Sequence, residues 1–111
     1  MAEQTQVTTE DTLIGGGDVA QTGDRVTVHY TGKFVDGKVF DSSLTRGEPY
    51  QFVLGSGQVI SGWDIGIAGM RVGGKRILVI PPTYGYGAKD YGPIPGNSTL
   101  VFEVELIKIE R

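Results

Sequence analysis

The sequence predicts an α+β domain in which an antiparallel sheet of about five strands wraps around one short helix. Three observations favour this fold class. Apolar and polar residues alternate in several short segments, which is typical of strands that bury one face. Glycine is frequent, at 18 of 111 residues, and is spread along the chain, which indicates many turns rather than long helices. Residues 61–70 carry apolar residues at helical spacing.

Length and composition fit one globular domain. A chain of 111 residues suits a single domain, and contents of 39% hydrophobic and 21% charged residues argue against a disordered or fibrous class. Residues 1–12 are polar and lack periodicity. They are expected to form a flexible N-terminal segment, or at most a poor edge strand, ahead of a folded domain over residues 13–111.

Charge and cysteine content argue against several classes of function. The formal net charge is −3 and the basic residues are scattered, which disfavours binding to nucleic acid or to an anionic membrane. The chain has no cysteine, so a disulfide, a thiolate zinc site and a cysteine nucleophile are excluded. We expect no metal and no cofactor. No signal peptide or membrane-spanning segment is visible, so a cytoplasmic location is expected. A monomer is expected because the sequence shows no sustained exposed apolar stripe.

The first two strands are predicted to form a hairpin. The segment RVTVHYTGKF (25–34) alternates between apolar and polar residues. Asp36-Gly37 between apolar flanks is a hairpin signal, so residues 39–41 are expected to return antiparallel to the first strand. Residues 42–49 are interpreted as a loop.

The helix is predicted in the middle of the chain. YQFVL (50–54) alternates as a further strand and is followed by glycines. From Ser61 the apolar spacing becomes helical, and Ser61 with Asp64 resembles a capping box. Gly73-Gly74 is expected to end this helix after at most about three turns.

Two more strands flank a long loop in the last third of the chain. KRILVI (75–80) reads as a strand that Pro81-Pro82 stops, and residues 83–97 form a loop rich in Gly, Pro and Tyr. Residues 98–111 close the chain as its longest strand. Its predicted buried face holds Leu100, Phe102, Val104 and Leu106.

Large aromatic side chains come from nearly every predicted element and could converge on one side of the sheet. They are Tyr30, Phe40, Tyr50, Phe52, Trp63, Tyr86, Tyr91 and Phe102. A plain hydrophobic core is the alternative for those on strands, whereas a phenol in the 83–97 loop is expected to present its hydroxyl to water or to a ligand. Asp41 is either a turn-forming aspartate or an acceptor at the rim of an aromatic pocket, where Arg46 could pair with it.

The remaining polar residues form no recognisable catalytic group. His29 lies on the strand face opposite Val28 and Tyr30, and it is expected to be structural. No nucleophile, metal-ligand cluster or phosphate-binding motif accompanies it. The residues therefore predict an aromatic pocket that either only binds a ligand or catalyses a reaction without a covalent partner.

Three segments carry a close resemblance to the FK506-binding protein family of peptidyl-prolyl cis–trans isomerases. They are VTVHYTGKFVDGKVFDSS, GSGQVISGWDIGIAGMRVGGKR and PPTYGYGA…IPGNSTLVFEVELIKI. The similarity runs over residues 18–110 and is to the minimal single-domain form. It implies an FKBP-like fold, with a sheet around one short helix. It also implies an enzyme that catalyses rotation about X–Pro peptide bonds. It also implies proline-containing peptides and protein clients as substrates, and macrolides such as FK506 and rapamycin as ligands.

The resemblance also implies roles for particular residues. Trp63 matches the floor of the family's pocket, and the main-chain N–H of Ile60 and the hydroxyl of Tyr86 match donors to ligand carbonyls. Asp41 matches the acidic member of the pocket. The implied catalytic set is Asp41, Tyr86, Trp63, Phe102 and Ile60. The implied substrate- and macrolide-binding set is Tyr30, Phe40, Arg46, Tyr50, Phe52, Val59, Ile60, Trp63, Tyr86, Tyr91, Ile94 and Phe102.

One segment departs from the family pattern. AKDYGPIPGN (88–97) is shorter than is common in the family, so the rim formed by Tyr91 and Ile94 is expected to lie differently and to shift substrate preference. Two alternatives to an enzyme are a binding module that recruits proline-containing partners without turnover and a peptide-binding domain that uses a sheet edge. The intact Asp41, Trp63 and Tyr86 favour the enzyme.

Overall fold

Six antiparallel strands form one sheet in the computed structural model, which describes residues 6–110. The strands are β1 (Thr8–Leu13), β2 (Arg25–Phe34), β3 (Val39–Ser42), β4 (Tyr50–Val53), β5 (Lys75–Ile80) and β6 (Leu100–Glu110). The helices are α1 (Ser43–Arg46) and α2 (Ser61–Ile67), with a 3₁₀ turn at Pro82–Tyr84. Within residues 6–110, none of the helices has the length and apolar character needed to cross a membrane.

β2 lies at the centre of the sheet and shares its edges among three strands. The sheet order is β1-β5-β6-β2-β3, and β4 also pairs with β2. β2 pairs with β6 along the whole length of β2, from Arg25 to Phe34. On the opposite edge, the first residues of β2 pair with β4 and the last pair with β3. β3 and β4 therefore lie end to end, with α1 in the connection between them.

The alternation predicted for β2 and β6 is confirmed, and the apolar faces of the two strands form the core. The buried side chains on these strands are Val26, Val28, Tyr30, Leu100, Phe102, Val104 and Leu106. Each fully buried aliphatic side chain contributes about 1.5–3 kcal/mol relative to an exposed one. The core is thus built from the period-two pattern that the sequence displays.

The β2–β3 hairpin closes at the predicted Asp-Gly pair. The Gly37 N–H donates to the Phe34 carbonyl at 2.9 Å, and the Phe34 N–H donates to the Lys38 carbonyl at 2.9 Å. Gly37 has φ +91°, a conformation that residues with a Cβ rarely adopt. A turn ending in such a glycine matches the three-residue hairpin loop. It places β3, with Asp41 near its end, beside β2.

Two glycines let α2 approach β5 closely. A Cβ on Gly62 would lie 2.6 Å from Cγ2 of Ile80, and a Cβ on Gly66 would lie 2.9 Å from Cδ2 of Leu78. Both distances are shorter than real Cβ contacts, so larger residues there would force the facing side chain or the helix to shift. The close approach holds Trp63 between the helix and the sheet, as the sequence predicts.

β1 is the main departure from the predicted fold. It pairs antiparallel with β5 at the edge of the sheet, and Asp11 on it accepts a 2.6 Å hydrogen bond from Arg76. All six of its residues are exposed, so it carries no apolar alternation that the sequence could display. The flexible segment predicted over residues 1–12 is therefore corrected for residues 8–12, which form the edge strand named as the alternative. Residues 1–5 lie outside the described residues.

The segment interpreted as a loop over residues 42–49 contains α1. The Ser42 hydroxyl accepts from the Leu44 N–H at 3.2 Å and caps the start of this four-residue helix. Gly47 ends it with φ +69°. The helix is short enough to leave no apolar periodicity, and it carries Arg46 in its last turn.

The capping box predicted for α2 is wrong. Ile60 is the N-cap residue and makes no side-chain capping bond. Asp64 instead accepts from the N–H groups of Gly55 and Gly57, at 2.8 and 3.1 Å, and so closes the loop that precedes the helix. The helix also ends earlier than predicted, at Ile67 rather than at the Gly73-Gly74 pair.

Candidate active site

An aromatic cleft of about 430 Å³ opens where α2 and the 83–97 loop face β2, β3 and β6. The cleft is lined by Tyr30, Phe40, Asp41, Tyr50, Gly57, Gln58, Val59, Ile60, Trp63, Tyr86, Tyr91 and Phe102. Most of the residues predicted for the site therefore come together in one place. The volume falls in the range typical of small-molecule sites, about 300–1,000 Å³.

Trp63 lies at the bottom of this cleft and is held on several sides by other rings. It is 5% exposed. The rings of Tyr30 and Phe102 meet it nearly edge-on, with centroid distances of 4.8 and 5.3 Å. Its Nε1 is buried and has no hydrogen-bond partner among the described residues, which costs about 1–3 kcal/mol. The surrounding ring contacts must outweigh that cost, and they fix the plane of the indole.

Asp41, Tyr30 and Arg46 form a closed hydrogen-bonded group at the polar side of the cleft. The Tyr30 hydroxyl donates to Asp41 Oδ2 at 2.6 Å and accepts from Arg46 Nη2 at 2.7 Å. Arg46 Nη1 donates to the other carboxylate oxygen, Oδ1. Three elements contribute one member each, and α1 is the element that brings Arg46 into range. The pairing of Asp41 with Arg46 that the sequence predicts is present.

The environment of Tyr30 changes its acidity. Burial raises the pKa of its phenol, and the hydrogen bond to Asp41 raises that pKa further, while the bond from Arg46 acts in the opposite direction. Tyr30 therefore stays protonated at neutral pH. Its hydroxyl is already committed to two partners and serves to hold Asp41 in place.

Tyr86 differs from Tyr30 in the hydrogen bonding of its hydroxyl. Its side chain is half-buried, and its hydroxyl has no hydrogen-bond partner among residues 6–110. Burial is the main cause that raises the pKa of this phenol, and the nearby Tyr91, Asp41 and Tyr50 raise it further. Tyr86 therefore enters the cleft as a protonated donor that is not yet used.

A second unused donor lies at the start of α2. Ile60 lines the cleft, and its carbonyl accepts from the Trp63 and Asp64 N–H groups, at 3.0 and 3.4 Å. Its own N–H donates to no group in the described part of the chain. The cleft thus combines an aromatic lining with two hydrogen-bond donors that can point at a ligand.

Three residues predicted for the site do not line the cleft. Arg46 lies outside the lining and acts on Asp41 and Tyr30. Phe52 is 4% exposed and packs against Trp63 at 5.7 Å. Ile94 is absent from the lining and is 4% exposed, so the structure does not place it on the rim beside Tyr91, where the sequence predicts it. An isoleucine between two prolines is buried under the loop because its apolar side chain gains more there than in water.

Two lining residues were missed in the sequence, Gly57 and Gln58. They follow β4 in a glycine-rich stretch, and in the sequence this stretch predicts only the end of the strand. The Gln58 side-chain oxygen accepts from the Val53 N–H at 2.7 Å, which holds this stretch against the strand. His29 lies outside the cleft lining and is hydrogen-bonded to Ser43 at 2.9 Å, in line with the structural role predicted for it.

Comparisons with known proteins agree with this site and fold. The family model for FKBP-type peptidyl-prolyl cis-trans isomerase matches residues 16–107. FK506-binding protein 1A of Aspergillus fumigatus is 55% identical over 97 residues, which are 86% of this chain and 87% of that protein. Peptidyl-prolyl cis-trans isomerase FKBP2 of Mus musculus is 58% identical over 93 residues, or 83% of this chain and 66% of that protein.

A solved structure extends the agreement to three dimensions. The crystal structure of AtFKBP13 superposes with a TM-score of 0.88 at 41% sequence identity, covering 94% of this chain and 93% of that one. The α+β fold class predicted from the sequence is confirmed by this match. The family match extends over most of the chain. The chain therefore belongs to the family of FKBP-type peptidyl-prolyl cis–trans isomerases.

Proposed function

We propose that the cleft catalyses rotation about X–Pro peptide bonds without a covalent intermediate, with the proline ring lying on Trp63. The observation that carries this proposal is the pairing of an aromatic cleft with two unused donors, the Ile60 N–H and the Tyr86 hydroxyl. Family membership supports the reaction class. The roles of the individual residues are inferred from their geometry.

The reaction needs little more than such a cleft. Rotation about the X–Pro bond is opposed by a barrier of about 18–20 kcal/mol, because amide resonance is lost when the bond twists. The planar amide has the larger dipole, so water stabilises it more than the twisted transition state. An aromatic cleft removes that advantage, and donors that fit the twisted carbonyl better than the planar one lower the barrier further. Each gain of about 1.4 kcal/mol raises the rate tenfold.

Asp41 acts through its charge and its position in this proposal. Both of its carboxylate oxygens accept hydrogen bonds, one from Tyr30 and one from Arg46. It is therefore poorly placed to take a proton from a substrate. Instead it holds Tyr30 and Arg46 in one arrangement at the polar side of the cleft.

We also propose that the cleft binds macrolides of the FK506 and rapamycin type. A relative that is 55% identical over most of its length carries the name FK506-binding protein 1A, which supports this ligand class. Such ligands would use the same aromatic floor and the same two donors as a proline-containing peptide. Macrolide binding and substrate binding are therefore expected to exclude each other.

A protease-coupled isomerase assay on an X-Pro-Phe peptide tests both proposals, with and without FK506. Trp63 is the only tryptophan of the chain, so its fluorescence reports occupation of the cleft directly. We expect acceleration that FK506 abolishes, together with a change in Trp63 emission as the ligand binds. Binding without acceleration would instead indicate a binding module.

A matched pair of variants ties the activity to the cleft. Trp63→Leu is expected to weaken isomerase activity and FK506 binding. Ile65→Ala is the control, because Ile65 is two residues away on the same helix and 53% exposed. Equal activity losses in the two variants would contradict the proposed site.

Clients, compartment and assembly belong to the same proposal. We expect a monomer that acts on accessible X–Pro bonds of unfolded and folded protein clients in the cytoplasm. Light scattering of the purified chain would test whether it is a monomer. Fractionation of cells that express it would test the cytoplasmic location.

A further inference from the structure

We propose that Tyr91 is a positioning residue for the isomerase reaction, because its ring holds the ring of Tyr86 and keeps the Tyr86 hydroxyl in the cleft. This inference rests on the proposed function, which uses Tyr86 as a donor to the twisting peptide carbonyl. It assigns a task to the loop in which the chain departs from the sequence pattern of its family.

The first observation is the stack between the two rings. Their centroids lie 4.4 Å apart and their planes differ by 13°. The ring pairs around Trp63 are edge-on or tilted, so this parallel stack is of a different kind. A ring stacked in this way resists both rotation and displacement of its neighbour.

The second observation is that no polar contact can do this work for Tyr86. Its hydroxyl has no hydrogen-bond partner among residues 6–110, whereas the Tyr30 hydroxyl is fixed by Asp41 and Arg46. The position of the Tyr86 hydroxyl therefore depends on what packs against the ring. One face of that ring is covered by the ring of Tyr91.

The third observation is that the loop presents Tyr91 in a defined position although the residue is 60% exposed. Tyr91 and Ile94 exchange two main-chain hydrogen bonds of 2.8 Å, and Ile94 is buried as an anchor. The Asp90 carboxylate accepts from the Gly96 N–H at 2.7 Å and closes the loop around this turn. A side chain so exposed gains little from its own burial, and its ring contact within residues 6–110 is the stack with Tyr86.

Removal of the ring is therefore expected to lower activity in a characteristic way. Tyr91→Ala should reduce kcat/KM about two- to tenfold, the range expected for the loss of one aromatic pair. Most of the loss should appear in kcat, because the Tyr86 donor is used more in the transition state than in the ground state. Tyr91→Phe keeps the ring and should have the same kcat/KM as the wild type. Lys89→Ala, an exposed change in the same loop, is the control and should have no effect.

The decisive experiment repeats these variants in a Tyr86→Phe background. If Tyr91 acts through the Tyr86 hydroxyl, Tyr91→Ala should cause no further loss there. An undiminished loss would overturn the inference, because Tyr91 would then act on the substrate directly. Wild-type activity in Tyr91→Ala, or a loss in Tyr91→Phe as large as in Tyr91→Ala, would also overturn it.

An NMR measurement gives a readout that does not depend on turnover. With tyrosines carrying ¹³C in the ring, Tyr91→Ala should shift the Tyr86 ring resonances and lower the pKa of its phenol towards the ordinary value, since the ring loses cover. Unchanged Tyr86 resonances would overturn the inference. Failure of the proposed function has a different signature, because the wild-type chain itself would then show no acceleration.

Discussion

Tyr30 and Tyr86 both line the cleft, but the two phenols differ in what their hydroxyls can do. The Tyr30 hydroxyl is held between Asp41 and Arg46, at 2.6 and 2.7 Å. The Tyr86 hydroxyl has no such partner in the described part of the chain. A peptide carbonyl can therefore accept from Tyr86 without breaking a hydrogen bond inside the protein, which costs less free energy than displacing Asp41 from Tyr30.

This difference predicts the pH dependence of the isomerase. Burial raises the pKa of the Tyr86 phenol above its ordinary value of about 10, so the donor stays protonated through the neutral range. We expect kcat/KM to be level from about pH 6 to about pH 9 and to fall only in more alkaline solution, as the proton is lost. A protease-free assay would measure this profile, with circular dichroism at each pH to follow folding.

Tyr86→Phe is the control for the pH profile. It should be less active at neutral pH and should lack the alkaline fall, because the group that titrates is gone. A fall in wild-type activity between about pH 6 and about pH 8 would contradict the proposal, since it would show that another group exchanges a proton in the reaction.

A second prediction at the scale of residues concerns Asp41. Asp41→Ala removes the acceptor of Tyr30 and the ion-pair partner of Arg46. We expect a loss of activity of about tenfold, as the polar side of the cleft loses its arrangement, but a loss of stability of only about 1 kcal/mol or less, because both charged side chains are more than one-third exposed. The isomerase assay and urea denaturation would measure the two effects. Glu48→Ala, an exposed acidic residue nearby in the chain, should change neither.

Sequence reasoning succeeded at Asp41 and failed at Ile94 for a physical reason. Asp41 lies five residues before Arg46, so their pairing could be predicted from the chain. Ile94 lies in a loop of glycines and prolines without a period, where only the turn between Tyr91 and Ile94 decides which side chain points inward. The chemical roles of the residues came from resemblance to a family, since no pattern in the chain alone specifies an isomerase.

At the scale of elements, the contact between α2 and β5 decides where Trp63 lies. Gly62 faces Ile80, which is β-branched and fully buried, and Gly66 faces the end of a more flexible leucine, Leu78. Alanine favours a helix over glycine by about 1 kcal/mol, so either substitution would stabilise an isolated helix. The space between helix and strand therefore decides the sign of the effect.

We predict that Gly62→Ala destabilises the protein more than Gly66→Ala does. The added Cβ at Gly62 would lie 2.6 Å from Ile80, which cannot move aside, and such overpacking costs about 1–3 kcal/mol. It should also displace Trp63 and lower isomerase activity. Urea denaturation followed by Trp63 fluorescence would measure the difference. Gly16→Ala, which has open space around it, is the control, and equal stability of all three variants would contradict the close contact.

Elements differed in how far the sequence could predict them. β2 and β6 bury one face, so their alternation is visible in the chain. β1 is exposed on both faces and α1 is held by Ser42 and Gly47 rather than by an apolar face, so neither leaves a periodic pattern. In α2 the residues of a capping box are present, but the Asp64 carboxylate is used by the loop before the helix instead.

At the scale of the whole molecule, Arg76 joins the edge of the sheet to the helix under the cleft. Its Nε donates to Asp11 on β1 at 2.6 Å. Its Nη1 donates to the carbonyls of Gly66 and Ala68 at the end of α2, at 2.8 and 3.1 Å. The carbonyls at a helix end have no partner within the helix, so Arg76 supplies one from β5. One side chain thus connects three elements that are distant in the chain.

The two contacts of Arg76 are expected to respond differently to acid. The hydrogen bond from Arg76 is the main cause that lowers the pKa of Asp11. A carboxyl whose pKa is lowered by folding stabilises the protein above its unfolded pKa of about 3.9, and this contribution is lost as the pH falls through the folded value. Arg76 stays charged throughout, so its bonds to the end of α2 persist. Acid should therefore release β1 from Arg76 before it affects the helix.

Arg76→Ala is consequently predicted to destabilise the protein more than Asp11→Asn. It leaves two helix carbonyls without a partner and should cost about 1–3 kcal/mol at neutral pH, whereas the loss in Asp11→Asn should be small because that carboxyl is on the surface. Urea denaturation at neutral pH and at a series of acid pH values would measure both, with Lys38→Ala as an exposed control. The difference between wild type and Asp11→Asn should shrink as the pH falls below the unfolded pKa of Asp11, while that between wild type and Arg76→Ala should remain. Equal effects of the two variants at neutral pH would show that Arg76 acts only as an ion-pair partner, and α2 would then be held by its packing on β5 alone.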